Sequence, residues 1–465
     1  MSVFLNQDRE CICALATPWG QSAIAVIRLS GTGCGKKLNN HFVPRLNENE
    51  FNKRFVRFAK FFDHQGQLLD QVVLIHFPGP NSFTGEDVFE IQCHGSPVIV
   101  EAILDTLGMA GFRLAKGGEF SKRAFLNGKM DLLQAESIQQ LIAANNLQSV
   151  RENVRKLDGF LSKMVQDLQS RLTDILAHME VAIDFSEDDG DSLSTEDLCR
   201  NMASLSEWIG QKLRESHIVE QSNRIPNCVI VGRPNVGKST LFNALVGMQR
   251  AIVSQVAGTT RDYIQEVITI DHLQIKVCDT AGIRCDAEGI EQMGIQRSLE
   301  LFHASDLILL VVDACDGWTR EDMELLQKTN GFCRIIIFNK SDLCNLPIQW
   351  PGVSENQEVA EEEILQISAL EKQDVTKVKH QIIKALNLQT NQHDFFVSFN
   401  KRQSLCMKGI LSALIMAESM LIHDADLEIV AIKIREALEK LAEMTGKGVE
   451  QQLLDHIFSQ FCIGK

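Results

Sequence analysis

The sequence predicts a multidomain fold that combines an α+β segment, an all-α domain and an α/β domain. The chain of 465 residues is too long for one ordinary domain, since single domains contain roughly 100–200 residues. Strand and helix patterns alternate between residues 223 and 388, as a doubly wound α/β domain requires. Helical periodicity occupies both flanking segments, residues 126–222 and 389–465, while residues 1–125 mix strands with helices.

The N-terminal segment, residues 1–125, has the pattern of an α+β domain. Short apolar or alternating runs predict strands at residues 12–16, 23–29, 72–77 and 88–93. A helix is predicted over residues 96–107, because Pro97 stands in what would be its first turn.

The two flanking segments carry apolar residues three and four positions apart, which is the period of amphipathic helices. These residues are Val154, Leu157, Leu161, Met164, Leu168, Leu172, Ile175 and Met179 in the first segment, and Leu427, Val430, Ile434, Leu438 and Leu441 in the second. Neither segment alone would bury both faces of long helices. We therefore expect one helical domain formed by both segments, with the α/β domain inserted between them. Helices that pack on a second copy of the chain are the alternative.

An acidic stretch, residues 187–191, interrupts the first helical segment. We interpret it as a solvated loop between helices, and a metal site is the alternative.

Composition indicates a globular, cytoplasmic protein. Hydrophobic residues make up 45% and charged residues 23%, and no apolar run approaches the roughly 18 residues that cross a bilayer. The 13 cysteines are scattered, as expected for reduced thiols in the cytosol. The net charge of -15 argues against non-specific nucleic-acid binding, which depends on many Lys and Arg contacts to phosphates. This net charge does not exclude a local basic patch or a basic partner.

A phosphate-binding loop is predicted at Gly232-Arg-Pro-Asn-Val-Gly-Lys-Ser239, which fits the pattern G-x-x-x-x-G-K-[ST]. A buried strand precedes the loop and a helix follows it, as the pattern needs. Glycines let backbone N–H groups face phosphates, and the helix N-terminus adds a favourable dipole. Lys238 supplies a positive charge to the β and γ phosphates, and the Ser239 hydroxyl is a ligand for Mg²⁺.

Further motifs follow in the order of a GTPase. Asp279-Thr-Ala-Gly282 ends a strand, and its carboxylate can hold Mg²⁺ through water. Thr260 can give Mg²⁺ a second hydroxyl. In Asn339-Lys-Ser-Asp342 the last carboxylate can accept two hydrogen bonds from guanine, and adenine would present a lone pair there. The residues expected to contact GTP are Asn235, Val236, Gly237, Lys238, Ser239, Thr240, Ser254, Gln255, Val256, Ala257, Gly258, Thr259, Thr260, Asp279, Thr280, Ala281, Gly282, Asn339, Lys340, Ser341, Asp342, Ser368, Ala369 and Leu370.

Ile283 stands where many small GTPases have a glutamine that positions the attacking water. The sequence also shows no arginine finger, so another group must supply the positive charge. Glu291 is a candidate to orient the water. A carboxylate stabilised at a helix N-terminus is the alternative interpretation of that residue.

Four stretches lie outside the common GTPase motifs, and on them the chain resembles the MnmE (TrmE) family of tRNA-modification GTPases. They are Ala16-Thr-Pro-Trp-Gly20, Phe77-Pro-Gly-Pro-Asn-Ser-Phe-Thr-Gly-Glu-Asp87, Gly118-Glu-Phe-Ser-Lys-Arg-Ala-Phe-Leu-Asn-Gly-Lys129 and Phe461-Cys-Ile-Gly-Lys465. The resemblance extends from about Ala14 to Lys465. Trp19 and Cys93 depart from it, because the family often has proline and glycine at these positions.

The resemblance implies an N-terminal domain that dimerises and binds 5-formyltetrahydrofolate, a split helical domain and an inserted Ras-like G domain. Carried over by motif, Arg28, Glu90, Lys129 and Lys465 would contact the folate. Cys462 would be a thiol near the folate, or else a buried anchor of the C-terminus.

The resemblance also implies K⁺ as the positive charge, bound when two G domains meet. Asn235, Ser254, Val256 and Thr259 would be its ligands, and Ser239 and Thr260 those of Mg²⁺. Glu291 would act as general base through a bridging water, together with Lys238 and Thr260.

The function implied by the resemblance is K⁺-stimulated GTP hydrolysis coupled to tRNA modification. A homodimer would form a heterotetramer with MnmG, which uses FAD and NADH. Together they would add an aminomethyl or carboxymethylaminomethyl group to C5 of the wobble uridine, with a one-carbon unit from tetrahydrofolate. Two other functions compete: a regulatory switch of the ribosome-assembly type, and a folate-binding module with a vestigial G domain.

Overall fold

The computed structural model describes residues 10–47, 50–184, 195–222, 225–247, 264–271, 273–279, 302–344, 364–386 and 398–464. These residues fall into two compact units. The first unit runs to Ala143 and continues with Asn153–Arg214 and with the chain from Phe399 onward. The second unit is made of Ala144–Glu152 and Glu215–Ser398. A domain inserted into another chain segment has this order, and the boundaries at residues 125, 222 and 388 stay predictions.

The first unit contains a seven-stranded sheet among its described residues, ordered β3-β4-β5-β6-β2-β1-β7. Neighbouring strands run antiparallel except for β1 and β7, which are parallel. The strands are β1 (Ile12–Leu15), β2 (Ser22–Ser30), β3 (Phe42–Val43), β4 (Phe55–Phe62), β5 (Leu68–Phe77), β6 (Val88–Gly95) and β7 (Arg113–Leu114). The four strands predicted from sequence in this segment are therefore confirmed, with ends that differ by a few residues.

Two helices, α1 (Cys34–Leu38) and α2 (Pro97–Met109), accompany this sheet. Ser96 is the N-cap of α2 and Pro97 its first residue, where the missing N–H costs no hydrogen bond. The core of the sheet takes in Leu29 and Phe89 together with Val100 and Ile103 of α2. Because successive strand residues point to opposite faces, the neighbours of these strand residues turn away from that core.

Five helices follow in the chain, and their bounds explain the long periodic run seen in the sequence. They are α3 (Glu119–Leu126), α4 (Leu132–Ile142), α5 (Leu147–Leu157), α6 (Phe160–Asp184) and α7 (Thr195–Ser222). The run from Val154 to Met179 is two helices, because Gly159 adopts a φ of 89°, a left-handed conformation that ends α5. The acidic residues 187–191 lie outside the described residues.

The second unit contains a six-stranded sheet among its described residues, ordered β13-β12-β11-β8-β10-β9. Its strands are β8 (Asn227–Val231), β9 (Ile264–Ile270), β10 (Leu273–Asp279), β11 (Leu307–Asp313), β12 (Arg334–Asn339) and β13 (Ile364–Gln366). All pairs are parallel except β9 with β10. The helices are α8 (Lys238–Gly247), α9 (Arg320–Lys328) and α10 (Lys372–Ala385). The chain therefore forms the predicted α/β domain.

Strand β11 is buried along its whole length, and its apolar side chains enter both hydrophobic cores of this unit. Burial on both faces is typical of a central parallel strand. In such a sheet the carboxyl ends of β8, β11 and β12 lie on one edge, which is where α/β proteins bind their ligands.

Three more helices, α11 (Lys401–Ile422), α12 (Leu427–Thr445) and α13 (Gln451–Ser459), belong to the first unit. Arg402 joins α11 to α4 through two hydrogen bonds to the Glu136 carboxylate, of 2.7 and 2.9 Å. It also donates to the carbonyls of Glu443 and Met444 in α12. Breaking a buried pair of this kind typically costs about 3–5 kcal/mol, because one charge stays buried without its partner. The helical domain is thus held together by contacts between its two sequence segments.

One described helix, α11, is long and apolar enough by length and composition to cross a membrane. A core helix of a water-soluble protein passes the same test. Here Met407, Ile410 and Leu414 are buried, and Arg402 pairs with Glu136. The helix is therefore weak evidence for a membrane span.

Candidate functional site

The loop between β8 and α8 has the backbone of a phosphate-binding loop. Its φ angles are 153° at Gly232, 65° at Asn235 and 95° at Gly237. A Cβ atom on Gly232 would lie 2.3 Å from the carbonyl oxygen of Val311, so only glycine fits beside β11. The local sequence thus brings the loop back over the end of the sheet, and α8 begins at Lys238.

The side chain of Lys238 lies inside this loop and is buried. Its Nζ donates to the carbonyl oxygens of Gly232 and Arg233, both at 2.8 Å. Burial lowers the pKa of the Lys238 ammonium group, and the Asp279 carboxylate opposes part of that change. A polyphosphate in the loop would offer this cation more strongly charged acceptors than two carbonyls.

Ser239 and Asp279 bring two oxygen ligands together at the ends of the loop and of β10. The Ser239 hydroxyl donates to Asp279 Oδ2 at 2.9 Å, and the carboxylate is buried. Hydroxyl and carboxylate oxygens are hard donors of the kind that Mg²⁺ prefers. The pair has the donor chemistry that would suit a magnesium ion.

The Asn339 side chain connects three loops at this edge of the sheet. Its Nδ2 donates to the carbonyl of Val236 at 2.9 Å, and its Oδ1 accepts from the Ala369 N–H at 2.9 Å. A Cβ on Gly237 would lie 2.2 Å from Asn339 Nδ2, so this approach requires glycine. Asn339 itself is buried. The phosphate loop and the loop of Ser368 to Leu370, which is expected to contact GTP, are thus positioned by one amide.

Lys340 follows with a φ of 68°, and its Nζ contacts Asp313 Oδ2 at 2.6 Å. Burial acts to raise the pKa of Asp313, but the hydrogen bonds from Lys340 and from the Cys315 N–H lower it overall. Asp313 is thereby kept as a carboxylate, and it holds Lys340 at the start of the segment that leads to Asp342. The Asp342 side chain is exposed, as it must be to reach a base.

The loop at Ser368 is fixed by Asp374, a residue that the sequence analysis did not single out. Asp374 Oδ2 accepts from the Ser368 N–H at 2.9 Å, and Lys377 donates to the other carboxylate oxygen at 2.8 Å. Asp313 was also missed. Asp313 contacts a residue of the predicted site 27 positions away, and Asp374 contacts one six positions away. Neither acid lies in a motif of its own, so the sequence does not mark them.

Part of the predicted site lies outside the described residues. These residues are Ser254, Gln255, Val256, Ala257, Gly258, Thr259, Thr260, Thr280, Ala281, Gly282, Ile283, Glu291 and Lys465. Their roles stay predictions.

The first unit has a cleft on the sheet face that turns away from α2. It has a volume of about 320 Å³ and is lined by Arg28, Arg54, Phe77, Asn81, Ser82, Phe83, Val88 and Glu90. Arg28 and Glu90 are paired across β2 and β6. Arg28 Nε and Nη2 both donate to Glu90 Oε1, at 3.0 and 2.8 Å. Antiparallel register therefore brings two predicted ligand residues together.

The C-terminal tail reaches the same arginine. Arg28 Nη1 donates to the carbonyl of Gly464 at 3.1 Å. The tail is anchored by Phe461, which is buried, and by the Cys462 carbonyl, which accepts from the Gly118 N–H at 3.3 Å. The Cys462 side chain is exposed, so its interpretation as a buried anchor is wrong.

A buried arginine supports the loop that borders the cleft. Arg123 donates to Glu86 at 3.0 Å and to Glu119 at 3.2 Å, and Glu86 also accepts from Ser30 in β2. Lys129 is exposed and lies beside this loop, since a Cβ on Gly85 would be 3.3 Å from its Cγ. Lys129 is therefore a neighbour of the cleft rather than one of its lining residues.

Comparison with known proteins covers both units. Residues 11–129 match the family model described as GTP-binding protein TrmE N-terminus, and residues 132–462 match that of the MnmE helical domain. The curated protein "tRNA modification GTPase MnmE" of Aquifex aeolicus (strain VF5) is 37% identical over 459 residues, 98% of this chain and 100% of that one. The protein of the same name from Acholeplasma laidlawii (strain PG-8A) is 37% identical over 458 residues, which cover 98% of this chain and 99% of that one.

Among solved structures, a variant of Aquifex aeolicus Era bound to GDP·AlF4⁻ is similar in part. It is 28% identical, and the match covers 42% of this chain and 66% of that chain with a TM-score of 0.27. A likeness at this level supports no further statement about the present chain.

We predict that Asn339→Ala lowers the free energy of unfolding by roughly 1–3 kcal/mol, because the Val236 carbonyl and the Ala369 N–H lose a buried partner. Affinity for guanine nucleotide falls with it. Chemical denaturation and titration with a fluorescent GDP analogue measure the two effects. The matched control is Asn330→Ala, an exposed asparagine of the same unit, which changes neither quantity. Equal behaviour of the two variants would show that Asn339 does not connect the loops.

Proposed function

The chain belongs to the MnmE family of tRNA modification GTPases, and from this premise we propose how its two sites serve that activity. The second unit would bind and hydrolyse GTP, and the cleft of the first unit would hold a tetrahydrofolate. The observation that carries the proposal is that one chain has both an Asn339-bridged nucleotide site and a cleft with the Arg28–Glu90 pair.

For the nucleotide, the described residues support distinct roles. Lys238 would neutralise the β and γ phosphates from inside the loop, and Asp342 would read the guanine edge. Ser239 and Thr260 would be ligands of Mg²⁺, and Asp279 would hold the ion through water; such an ion neutralises charge that develops on the phosphates. Ser368, Ala369 and Leu370 would line the base.

K⁺ would supply the positive charge that an arginine finger supplies in other GTPases. Asn235 suits this proposal, because its exposed side chain carries an amide oxygen within the phosphate loop. Ser254, Val256 and Thr259 would complete the ligands when two G domains meet. Ile283 cannot orient water, so Glu291 would act as the general base.

We expect GTP hydrolysis by the full-length chain to be at least about tenfold slower in NaCl than in KCl, because the charge on the transition state would be less well compensated.

Glu291→Ala should slow hydrolysis about 10²–10⁴-fold and leave GTP affinity within twofold. Phosphate release and nucleotide titration give the two numbers.

The control for the second variant is Glu321→Ala, an exposed acid at the start of α9, which should hydrolyse GTP at the wild-type rate. Equal rates in the two salts would refute the K⁺ proposal. Loss of GTP binding in Glu291→Ala would give that residue a structural role.

A tetrahydrofolate suits the chemistry of the cleft. The Glu90 carboxylate can accept paired hydrogen bonds from a pterin edge, and Arg28 can bind a glutamyl carboxylate. Phe77 and Phe83 give apolar walls, and a volume of about 320 Å³ lies within the range of small-molecule sites. Lys129, Lys465 and the exposed Cys462 thiol would act from the rim.

Arg28→Ala should weaken binding of 5-formyltetrahydrofolate about 10- to 100-fold, since a charge-assisted hydrogen bond is lost. Isothermal titration calorimetry with the full chain measures this. Arg57→Ala is the control, because Arg57 belongs to the same sheet but pairs with Glu50 outside the cleft. A wild-type chain that gives no heat with this folate would remove the folate assignment, and equal affinities for wild type and Arg28→Ala would remove Arg28 from it.

The same proposal extends to partners. A cytoplasmic homodimer would work with MnmG on C5 of the wobble uridine, with the one-carbon unit taken from the folate. A net charge of -15 supports a division of labour in which the partner makes much of the contact to tRNA. A purely regulatory GTPase switch would leave the cleft and the tail at Arg28 without a role.

A further inference from the structure

Two cysteines lie just beyond the ends of neighbouring strands, next to the motif Asn339 to Asp342. Cys315 follows β11 by two residues, and Cys344 follows Asp342 by two residues. Strands β11 and β12 are parallel neighbours in which Asp313 pairs with Asn339. The Ala314 N–H donates to the Asn339 carbonyl at 2.8 Å. The chain segments that carry both thiols therefore leave the sheet side by side.

The Cys315 thiol lies against the backbone of Lys340, which precedes Cys344 by four residues. Cys315 Sγ contacts the Lys340 carbonyl at 3.8 Å, and the Leu343 N–H donates to the same oxygen at 3.0 Å. Desolvation raises the pKa of the Cys315 thiol, and the side chains of Cys344 and Asp313, both within hydrogen-bonding contact of it, raise that pKa further. Cys315 is exposed and Cys344 is partly exposed.

Exposure distinguishes this pair from two other thiols of the α/β domain, Cys228 and Cys278, which are buried. Buried neutral thiols are inert, whereas two accessible thiols in contact can exchange with a disulfide from solution.

We propose that Cys315 and Cys344 form a dithiol–disulfide site, and that its oxidation by a small-molecule disulfide weakens guanine-nucleotide binding. One thiolate attacks the small disulfide, which forms a mixed disulfide and releases one small thiol. The second protein thiol then displaces the other small thiol. Two S–H bonds and one S–S bond are replaced by one protein S–S bond and two small thiols, so the protein loses two electrons and two protons to the oxidant.

The weakening follows from the length of the new bond. A disulfide holds its sulfur atoms about 2.05 Å apart, closer than any hydrogen-bonded contact between two thiols. Closing the bond draws the Cys344 side chain onto the Cys315 side chain and ties the turn from Lys340 to Leu343, which is closed by its own hydrogen bond, to the segment after β11. Asp342 lies in that turn. This effect rests on the proposed role of Asp342 in reading guanine, whereas formation of the disulfide does not.

The first experiment treats the full-length chain with oxidised glutathione, blocks the remaining thiols with iodoacetamide and maps peptides by mass spectrometry. We expect a linked Cys315–Cys344 peptide in the wild type and in Cys333→Ser, which removes an exposed cysteine outside the pair. Cys315→Ser and Cys344→Ser should instead carry glutathione on the remaining cysteine. Wild-type protein with Cys333 glutathionylated but no Cys315–Cys344 link would overturn the proposal.

The second experiment measures the affinity of a fluorescent GDP analogue before and after oxidation. Affinity should fall at least about fivefold in the wild type and in Cys333→Ser, return with dithiothreitol, and stay unchanged in the Cys315→Ser, Cys344→Ser double variant. By thermodynamic reciprocity, excess GDP should hinder formation of the disulfide by a similar factor. A linked peptide with unaltered GDP affinity would refute the coupling while leaving the GTPase assignment untouched, and absence of GDP binding by the reduced wild type would instead count against the nucleotide site itself.

Discussion

Two hydrogen bonds of the Asn339 side chain hold the nucleotide site of this chain together. They require Val236 to present its carbonyl, Gly237 to have no side chain and Ala369 to present its N–H. Each requirement is met because β8 and β12 are parallel strands of one sheet and end on the same edge. The loops that follow are then near enough for one amide to join them, and Lys238 and Ser239 take their positions from the same loop.

The cleft of the first unit depends on a different use of a sheet. Here the antiparallel pairing of β2 with β6 sets Arg28 opposite Glu90, and the face that carries them is turned away from α2. Arg123 holds the loop beside the cleft through its hydrogen bond to Glu86. A parallel edge thus gathers backbone groups that suit phosphates and a base, whereas an antiparallel face gathers side chains that suit a flat, charged small molecule.

The sequence predicted features whose cause is local. The glycines of the phosphate loop, the apolar strands and the helical repeats follow from backbone conformation and period, and the structure confirms them. The family resemblance added Arg28 and Glu90, which are 62 residues apart and meet through strand register. Asp313 was missed because its partner Lys340 is 27 residues away, and Asp374 because no motif surrounds it. Arg123 lies within the stretch Gly118 to Lys129, but its partner Glu86 is 37 residues away and only the fold brings the two together. The break at Gly159 was missed because apolar spacing continues across it.

If both sites of the chain serve a single tRNA modification, the wobble nucleosides of tRNA depend on both. Mass spectrometry measures these nucleosides in tRNA from cells that lack this chain and are resupplied with wild type, Arg28→Ala or Asn339→Ala. Uridines modified at C5 should be lost without the chain and restored by the wild type, while each variant, at equal protein level, should restore little. Full modification with Arg28→Ala but not with Asn339→Ala would show that the cleft has no part in the reaction.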